Sequence, residues 1–241
     1  MSRAQVGLIG LAVMGENLAL NIADKGFPIA VFNRTVSRVD DFLARNRRDD
    51  LVGCHSIEEL ARAVERPRRI ILICDVSGSM EPYSRALLRF LHTAVVGRGR
   101  IEAFALGTRL TRITRELSSR DPDAALAKAA RSVPDWSGGT RLGEGLRAFN
   151  DQWGVRGMAR GSVVVVLSDG WDRGDPALLT EQMQRLQRVA YRTVWVNPLK
   201  ASPGYAPLAA GMAAALPYVD EFVEGHSLDS LRTLAEVISK G

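Results

Sequence analysis

Short apolar runs alternate with segments of helical spacing along the first third of the chain. An apolar run bounded by glycine, proline or charged residues is typical of a buried strand, and apolar side chains recurring about every three or four positions indicate an amphipathic helix. Strand, helix and strand in this order predict βαβ units and a parallel sheet. The predicted strands are Val6–Gly10, Pro28–Phe32 and Arg69–Cys74, with a short extended piece at Gly53–His55, and the predicted helices are 15–25, Ser37–Arg45 and 56–64.

The same alternation continues to the end of the chain. Ser162–Leu167 is almost wholly apolar and predicts a central strand that is buried on both faces. The fold class predicted by the pattern is α/β, with a mostly parallel open sheet and helices on both faces. The other predicted strands are Arg100–Gly107, Thr111–Thr114, Tyr191–Val196 and Val219–Val223, and the other predicted helices are Pro82–Val96, Asp121–Val133, Leu142–Trp153, Leu178–Ala190, Pro207–Ala215 and Leu228–Ser239.

The composition is that of a globular protein with a sizeable core, since 46% of the 241 residues are hydrophobic and 24% are charged. Cys54 and Cys74 both fall in segments predicted to be interior, so we expect two reduced thiols and a cytoplasmic protein. The longest apolar runs are far shorter than a membrane span, and the N-terminus lacks the pattern of a signal peptide. We therefore expect no membrane span.

The net charge of +5 is unevenly distributed. Residues 1–67 carry 9 basic and 9 acidic side chains, so the excess of 23 basic over 18 acidic side chains lies entirely in residues 68–241. Acidic residues are interspersed among the basic ones, which favours a solvated basic surface over a nucleic-acid-binding patch. We expect no nucleic-acid partner.

A glycine-rich turn follows the first predicted strand. Gly10, Ala12 and Gly15 form a G-x-A-x-x-G pattern between that strand and the next helix. A tight turn with a small residue lets backbone N–H groups approach a pyrophosphate at the helix N-terminus, and Gly15 lets the helix pack closely on the strand. The pattern predicts a dinucleotide site, and its alternative is an ordinary strand-to-helix turn that binds nothing.

The second predicted strand ends where a dinucleotide site contacts the ribose. An arginine there, Arg34, favours the 2′-phosphate of NADP over the free hydroxyl of NAD. Residues 7–17, 32–37 and 67–72 resemble the N-terminus of 6-phosphogluconate dehydrogenase. This resemblance ends at Cys74, and the family's helical domain with its catalytic lysine does not follow, so we expect no dehydrogenase activity. The resemblance implies that NADP would be held by Gly10, Ala12, Gly15, Asn33, Arg34 and Thr35.

Carboxylate and hydroxyl side chains follow two of the predicted strands. Because ligands of open α/β sheets bind at the carboxyl ends of strands, we expect these side chains to meet around one cation. Two carboxylates balance a divalent charge, and neutral hydroxyl oxygens suit Mg²⁺ or Mn²⁺. The alternatives are a helix N-cap at the first aspartate and a simple turn at the second. The candidate ligands are Asp75, Ser77 and Ser79 in a D-x-S-x-S pattern, Thr140 in a glycine loop, and Asp169 after the central strand.

Residues 74–84, 104–114, 136–143 and 167–174 resemble the CoxE-like von Willebrand factor A (VWA) proteins, which are accessory proteins linked to carbon monoxide dehydrogenase. The resemblance extends from Arg68 to about Lys240 and implies a VWA/Rossmann-like three-layer sandwich. It also implies that the five candidate ligands form a metal-ion-dependent adhesion site. The partners that it implies are an AAA+ ATPase of the MoxR type and a molybdenum-containing protein target that offers an acidic side chain.

Both resemblances include the strand Arg69–Cys74. In a dinucleotide-binding sheet this strand would lie beside the second strand at the edge of its half, whereas in a VWA sheet it is central. We expect the VWA arrangement, because Ser162–Leu167 and Arg100–Thr114 supply neighbours for both of its sides. The predicted domains are a partial NADP-binding βαβα segment with two strands at 1–67 and a VWA domain at 68–241, as in a chimera.

Two functions follow from these patterns and from what the two resemblances imply. The first is a metal-dependent protein-binding module that is not an enzyme and acts as an accessory or maturation factor. The alternative is an NADP-binding protein or a non-catalytic remnant of 6-phosphogluconate dehydrogenase. Three residues near the second aspartate are left open: Trp171 either packs in the core or at the rim of the metal face, or contacts a partner, and Asp172 and Asp175 either support the site or solvate a loop.

Overall fold

The computed structural model describes residues 4–64, 68–97, 100–134, 136, 138–201 and 204–239. The chain divides into two compact units, Met1–Pro67 and Arg68–Gly241. The first unit contains β1 (Val6–Ile9), α1 (Val13–Asp24), β2 (Ile29–Phe32), α2 (Ser37–Arg45), β3 (Leu51–Cys54) and α3 (Ile57–Ala63).

A three-stranded parallel sheet in the order β1-β2-β3 forms the centre of the first unit. The prediction that residues 1–67 contain two strands is wrong. They contain three, because β3 pairs with β2 along its whole length. The sequence signal for β3 is weak since Gly53 lies in the middle of it. An added Cβ at Gly53 would overlap Leu43 and press on Val39, so side chains of α2 occupy the space that a larger residue would need.

The second unit contains six strands and seven α-helices within the part of the chain that the structure describes. Its elements are β4 (Ile70–Asp75), α4 (Glu81–Gly97), β5 (Ile101–Leu106), β6 (Leu110–Arg112), α5 (Thr114–Leu117), α6 (Pro122–Ser132), α7 (Leu142–Phe149), β7 (Val163–Leu167), α8 (Pro176–Gln187), β8 (Arg192–Asn197), α9 (Ala210–Ala215), β9 (Glu221–Glu224) and α10 (Leu228–Ser239).

The six strands form one sheet in the order β6-β5-β4-β7-β8-β9, which is parallel except for β6. Every residue of β4 is buried, and alternate side chains of a strand face opposite sides of the sheet. Leu72 therefore packs in one apolar core with α4, and Ile73 packs in the other with α7 and α8. This arrangement confirms the predicted fold class and the central position of the Arg69–Cys74 strand.

Several predicted boundaries differ from the observed ones. The helix predicted for Leu142–Trp153 ends as an α-helix at Phe149 and continues as a π-helical segment, Asn150–Met158, with non-helical dihedral angles at Gly157. The strand predicted for Thr111–Thr114 ends at Arg112, because the Thr114 hydroxyl donates to Glu102 and Thr114 begins α5. The last predicted helix before β9 begins at Ala210 instead of Pro207.

Cys54 and Cys74 are both buried and unpaired. Burial raises the pKa of each thiol, which keeps both groups protonated and unreactive at neutral pH. In the described ranges, no helix combines the length and the apolar character that crossing a bilayer requires.

Candidate metal site

Asp75 is the last residue of β4 and is fully buried at the carboxyl edge of the sheet. The chain leaves the strand through a backbone hydrogen bond from Val76 N to the Leu106 carbonyl, at 3.0 Å. A single 3₁₀ turn, Gly78–Met80, then leads directly into α4. The D-x-S-x-S segment is thus held between the central strand and the first helix of the second unit.

Three donors converge on the carboxylate of Asp75. Its Oδ1 accepts the backbone N–H of Ser77 at 2.9 Å and the hydroxyl of Thr140 at 2.6 Å. Its Oδ2 accepts the hydroxyl of Ser168 at 2.6 Å. Burial raises the pKa of Asp75 above its ordinary value, and these hydrogen bonds oppose that shift by favouring the ionised form.

The predicted hydroxyl ligands are brought to the same place. Ser77 Oγ lies 3.1 Å from Ser79 Oγ, and Gly78 N donates to the Gly138 carbonyl in the loop that carries Thr140. Ser77, Ser79 and Thr140 line one cavity of about 340 Å³. Four of the five predicted ligands are therefore linked by one hydrogen-bonded chain.

Asp169, the fifth predicted ligand, lies two residues beyond β7 and is buried. Its Oδ1 accepts the backbone N–H of Trp171 at 2.9 Å, and Asn197 Nδ2 holds its carbonyl oxygen at 3.0 Å. Asp169 lines an adjacent cavity that shares Trp171 and Asp172 with the first. Asp169 is joined to the network of Asp75 by its chain neighbour Ser168, whose side-chain hydroxyl donates to Asp75 Oδ2.

Sequence reasoning did not single out Ser168 or Asn197 as part of this site. Ser168 directly precedes Asp169, so its position next to a predicted ligand was the available signal. Asn197 is the last residue of β8, and it reaches Asp169 because β8 lies beside β7 in the sheet. The sequence carried no signal that these two strands are neighbours. Trp195 adds a further support, since its indole N–H donates to the Ser168 carbonyl at 2.9 Å.

The three residues left open near Asp169 have distinct roles. Trp171 is 68% exposed and stands at the rim of the candidate site, which excludes core packing. Asp172 Oδ1 accepts the backbone N–H groups of Leu142 and Gly174, each at 2.9 Å, so this side chain ties α7 to the loop after β7. Asp175 caps α8 by accepting the N–H of Ala177.

The predicted dinucleotide turn has the expected backbone geometry in the first unit. Gly10 has a φ of +101°, and an added Cβ on Gly15 would overlap the carbonyl oxygen of Gly10. Ala12 is the exposed N-cap of α1, without a side-chain cap. The positive φ of Gly10 is typical of a tight turn, and the close approach at Gly15 is typical of a helix packed directly on that turn.

The Asn33-Arg34-Thr35 segment is adjacent to this turn. Asn33 Oδ1 accepts the N–H of Leu11 at 2.9 Å, and Asn33 Nδ2 donates to the Thr35 carbonyl at 3.0 Å. Asn33 thus holds the turn with its amide oxygen and its own segment with its amide nitrogen, whereas the side chains of Arg34 and Thr35 are exposed.

Comparison with protein families decides the assignment of the chain. A family model described as "VWA domain containing CoxE-like protein" matches residues 34–231. The chain belongs to this family. The match includes residues 34–67 as well as residues 68–231 of the second unit, so it begins earlier than the CoxE-like resemblance, which begins at Arg68.

Curated relatives of this CoxE-like VWA protein match a shorter stretch. It is 47% identical over 92 residues to the decarboxylating 6-phosphogluconate dehydrogenase of Ovis aries, and 43% identical over 91 residues to the NADP(+)-dependent enzyme of Bacillus subtilis. Each match covers 38% of this chain and 19% of the relative. The chain therefore spans about a fifth of the length of these relatives.

Solved structures with similar folds were also found. A von Willebrand factor type A structure from Catenulispora acidiphila matches with a TM-score of 0.48 and 17% sequence identity. The matched region covers 74% of this chain and 42% of the other chain. Proximal thread matrix protein 1 from the mussel byssus, in a structure with a zinc-occupied MIDAS motif, matches with a TM-score of 0.42 and 14% sequence identity. The matched region covers 98% of this chain and 66% of the other chain.

Ser168→Ala is expected to weaken Mg²⁺ or Mn²⁺ binding by about 10- to 100-fold, because it removes the hydrogen bond that orients Asp75 Oδ2. Isothermal titration with Mn²⁺ measures the effect. Ser162→Ala is the matched control, since Ser162 is a buried serine just before the same strand and donates only to the Ala159 carbonyl. Equal affinities in the two variants would contradict the role given to Ser168.

The stability of the metal-free second unit is expected to fall as the pH rises, whereas the stabilisation added by a bound metal is expected to increase. A carboxyl whose pKa is raised in the folded state, such as Asp75, contributes stability at acidic pH that is lost as the pH rises through that raised pKa. A divalent cation needs the ionised carboxylate, so its stabilising effect should increase over the same interval. Thermal melts in EDTA and in Mg²⁺ across this interval measure both trends, and a Mg²⁺ shift that shrinks with rising pH would refute the prediction.

Proposed function

We propose that this CoxE-like VWA protein is a divalent-metal-dependent protein-binding module that acts as an accessory or maturation factor. Its proposed partners are an AAA+ ATPase of the MoxR type and a molybdenum-containing enzyme, one of which presents an acidic side chain to the metal. The proposal places the protein in the cytoplasm, where its two buried thiols would stay reduced.

The observation that supports this function most directly is the hydrogen-bonded chain from Ser79 through Ser77 and Asp75 to Thr140. These side chains come from two separate loops at the carboxyl edge of the sheet. The three hydroxyl-bearing residues line one cavity, and the buried carboxylate of Asp75 lies behind them, within hydrogen-bond distance of Thr140. Binding sites of open α/β sheets lie at this edge.

The donor set is compatible with a hard divalent cation. Oxygen ligands of mixed charge suit Mg²⁺ and Mn²⁺, and Mg²⁺ commonly binds through one or two carboxylates while other positions stay open. We propose Asp75, Ser77, Ser79, Thr140 and Asp169 as the residues that would hold the cation, directly or through water. A bound cation would supply a Lewis-acidic position for a partner carboxylate, while Thr140 and Ser168 would keep the Asp75 carboxylate oriented.

The test uses the full chain immobilised against a purified MoxR-type AAA+ ATPase of the same organism. We expect capture in Mg²⁺, loss of capture in EDTA, and recovery when Mg²⁺ is restored. Metal binding is measured in parallel by titration with Mn²⁺. Capture that is equal in Mg²⁺ and EDTA would overturn metal dependence, and absence of capture despite Mn²⁺ binding would overturn this choice of partner.

NADP binding by the first unit is a second candidate function. It is favoured by the Gly10–Gly15 geometry, because the exposed N-terminus of α1 and the adjacent Arg34 could receive a pyrophosphate and a 2′-phosphate. Calorimetric titration with NADPH and NADH tests it. We expect NADPH to bind more tightly, with a loss in Arg34→Ala but not in Arg47→Ala, an exposed arginine of the same unit. No heat at millimolar NADPH would remove this function.

A further inference from the structure

Arg173 has an unusual position beside the candidate metal site. Its Cδ, Nε and Cζ atoms lie 2.7, 2.8 and 2.9 Å from the point that a Cβ on Gly139 would occupy. The arginine side chain therefore lies directly on the backbone of the residue before Thr140. Its own backbone N–H donates to the Thr140 carbonyl at 3.0 Å, which fixes the two loops against each other.

The guanidinium of Arg173 is available to a ligand. Arg173 is exposed and lines the same cavity as Ser77, Ser79 and Thr140. Among the residues that the structure describes, no carboxylate or carbonyl accepts a hydrogen bond from it. Two acids near this loop use one carboxylate oxygen each: Asp172 Oδ1 accepts two backbone N–H groups, and Glu144 Oε1 lies 3.6 Å from the guanidinium of Arg141. Their second oxygens, Asp172 Oδ2 and Glu144 Oε2, are buried and accept no hydrogen bond from Arg173 or from any other described residue.

The charges of the site make this arginine significant. Asp75 and Asp169 together would neutralise a divalent cation. Arg173 is the one basic side chain among the described residues that line the cavity, and the acid beside it, Asp172, uses one carboxylate oxygen to accept two backbone N–H groups. A carboxylate that gives one oxygen to a metal keeps its second oxygen free. A guanidinium presents parallel N–H donors in a plane that matches a carboxylate, and charge-assisted hydrogen bonds of this kind are stronger than neutral ones.

We propose that Arg173 is a second anchor for the partner's carboxylate, which would place one oxygen at the metal and the other at the guanidinium. This inference rests on the proposed metal-dependent binding and adds a residue that determines ligand specificity. Gly139 permits the arrangement, because any side chain there would displace the arginine from its position. The preferred ligand is an aspartate or glutamate on an exposed segment of a partner protein.

The experiment uses the full chain and a capped pentapeptide with one aspartate between glycines, and the same peptide with asparagine as the reference ligand. Mn²⁺ binding is titrated first, and peptide binding to the Mn²⁺-loaded protein is then followed by water-proton relaxation. Arg173→Ala should bind Mn²⁺ at least as tightly as the wild type, because a neighbouring positive charge is removed, but should bind the aspartate peptide at least about tenfold more weakly.

Two further variants separate shape from charge. Arg173→Lys should give intermediate peptide affinity, since an ammonium keeps the charge without the planar pair of donors. Arg160→Ala removes an exposed arginine that precedes β7, at the opposite edge of the sheet, and should behave as the wild type.

Each outcome bears on a different claim. Wild-type affinity for the aspartate peptide in Arg173→Ala would overturn the inference while leaving the metal site intact. Equal binding of aspartate and asparagine peptides, or no peptide binding at all, would also overturn it. A wild-type protein that binds no Mn²⁺ would overturn the proposed function and this inference together. Loss of Mn²⁺ affinity in Arg173→Ala would show that the residue is only structural.

Discussion

Asp75→Ala should abolish the stabilisation of the second unit by Mg²⁺ and reduce Mn²⁺ affinity by more than about 100-fold, beyond what loss of a supporting residue causes. The reason is that Asp75 supplies the carboxylate at the end of β4 and accepts hydrogen bonds from Thr140 and Ser168. A metal present at about 100 times its dissociation constant stabilises the wild type by about 2.7 kcal/mol. Thermal melts with Mg²⁺ and with EDTA measure this difference directly.

The fold is expected to persist in Asp75→Ala. Burial disfavours the ionised form of this side chain, so its removal takes a desolvated charge out of the metal-free protein. Asp75→Asn should lose metal binding to a similar extent while keeping the size of the side chain. Asp123→Ala, which removes an exposed aspartate paired with Arg89, serves as the control. A normal Mg²⁺ shift in Asp75→Ala would eliminate the metal site as described.

The second large effect is expected from Gly15→Ala in the first unit. An added Cβ would overlap the carbonyl oxygen of Gly10, and a backbone atom cannot move aside as a flexible side chain can. We expect a loss of about 3 kcal/mol in the stability of this unit, at the upper end of the cost of overpacking. All four tryptophans, Trp136, Trp153, Trp171 and Trp195, lie in the second unit.

Urea unfolding followed by two signals measures this effect. Circular dichroism reports helices of both units, whereas tryptophan fluorescence reports the second unit alone. Gly15→Ala should move a transition seen by circular dichroism and leave the fluorescence midpoint in place. Gly26→Ala is the matched control, because its φ of +83° makes alanine unfavourable by about 1 kcal/mol but its surroundings are open. Equal midpoints for Gly15→Ala and the wild type would contradict the close packing of α1 on the turn.

The sequence was informative about the second unit because its central strands carry strong local signals. Ile70–Asp75 and Val163–Leu167 are apolar almost throughout, as expected for parallel strands covered on both faces. The D-x-S-x-S spacing directly after one such strand also restricts where its oxygen atoms can lie. Four predicted ligands consequently meet in the structure, across up to 65 positions of sequence between Asp75 and Thr140.

Elements with weak or misleading local signals were less predictable. Leu51–Cys54 forms a strand because Leu43 and Val39 pack over Gly53, and that packing partner lies in a different element. The π-helical segment after Phe149 has helical spacing in sequence, but Asn150 turns inward to donate to Gln182 of α8. Both outcomes are set by contacts between segments rather than by local preference.

The amino-acid order alone determined the alternation of strands and helices, the glycine turn at Gly10–Gly15 and the identity of the oxygen-bearing side chains, since each depends on neighbours a few positions away. Only the tertiary structure decided that β8 lies between β7 and β9, that Ser168 holds the carboxylate of Asp75, and that Arg173 lies on Gly139. Strand order and loop contacts depend on how distant segments share one core, and burial of both faces of β4 selects that arrangement.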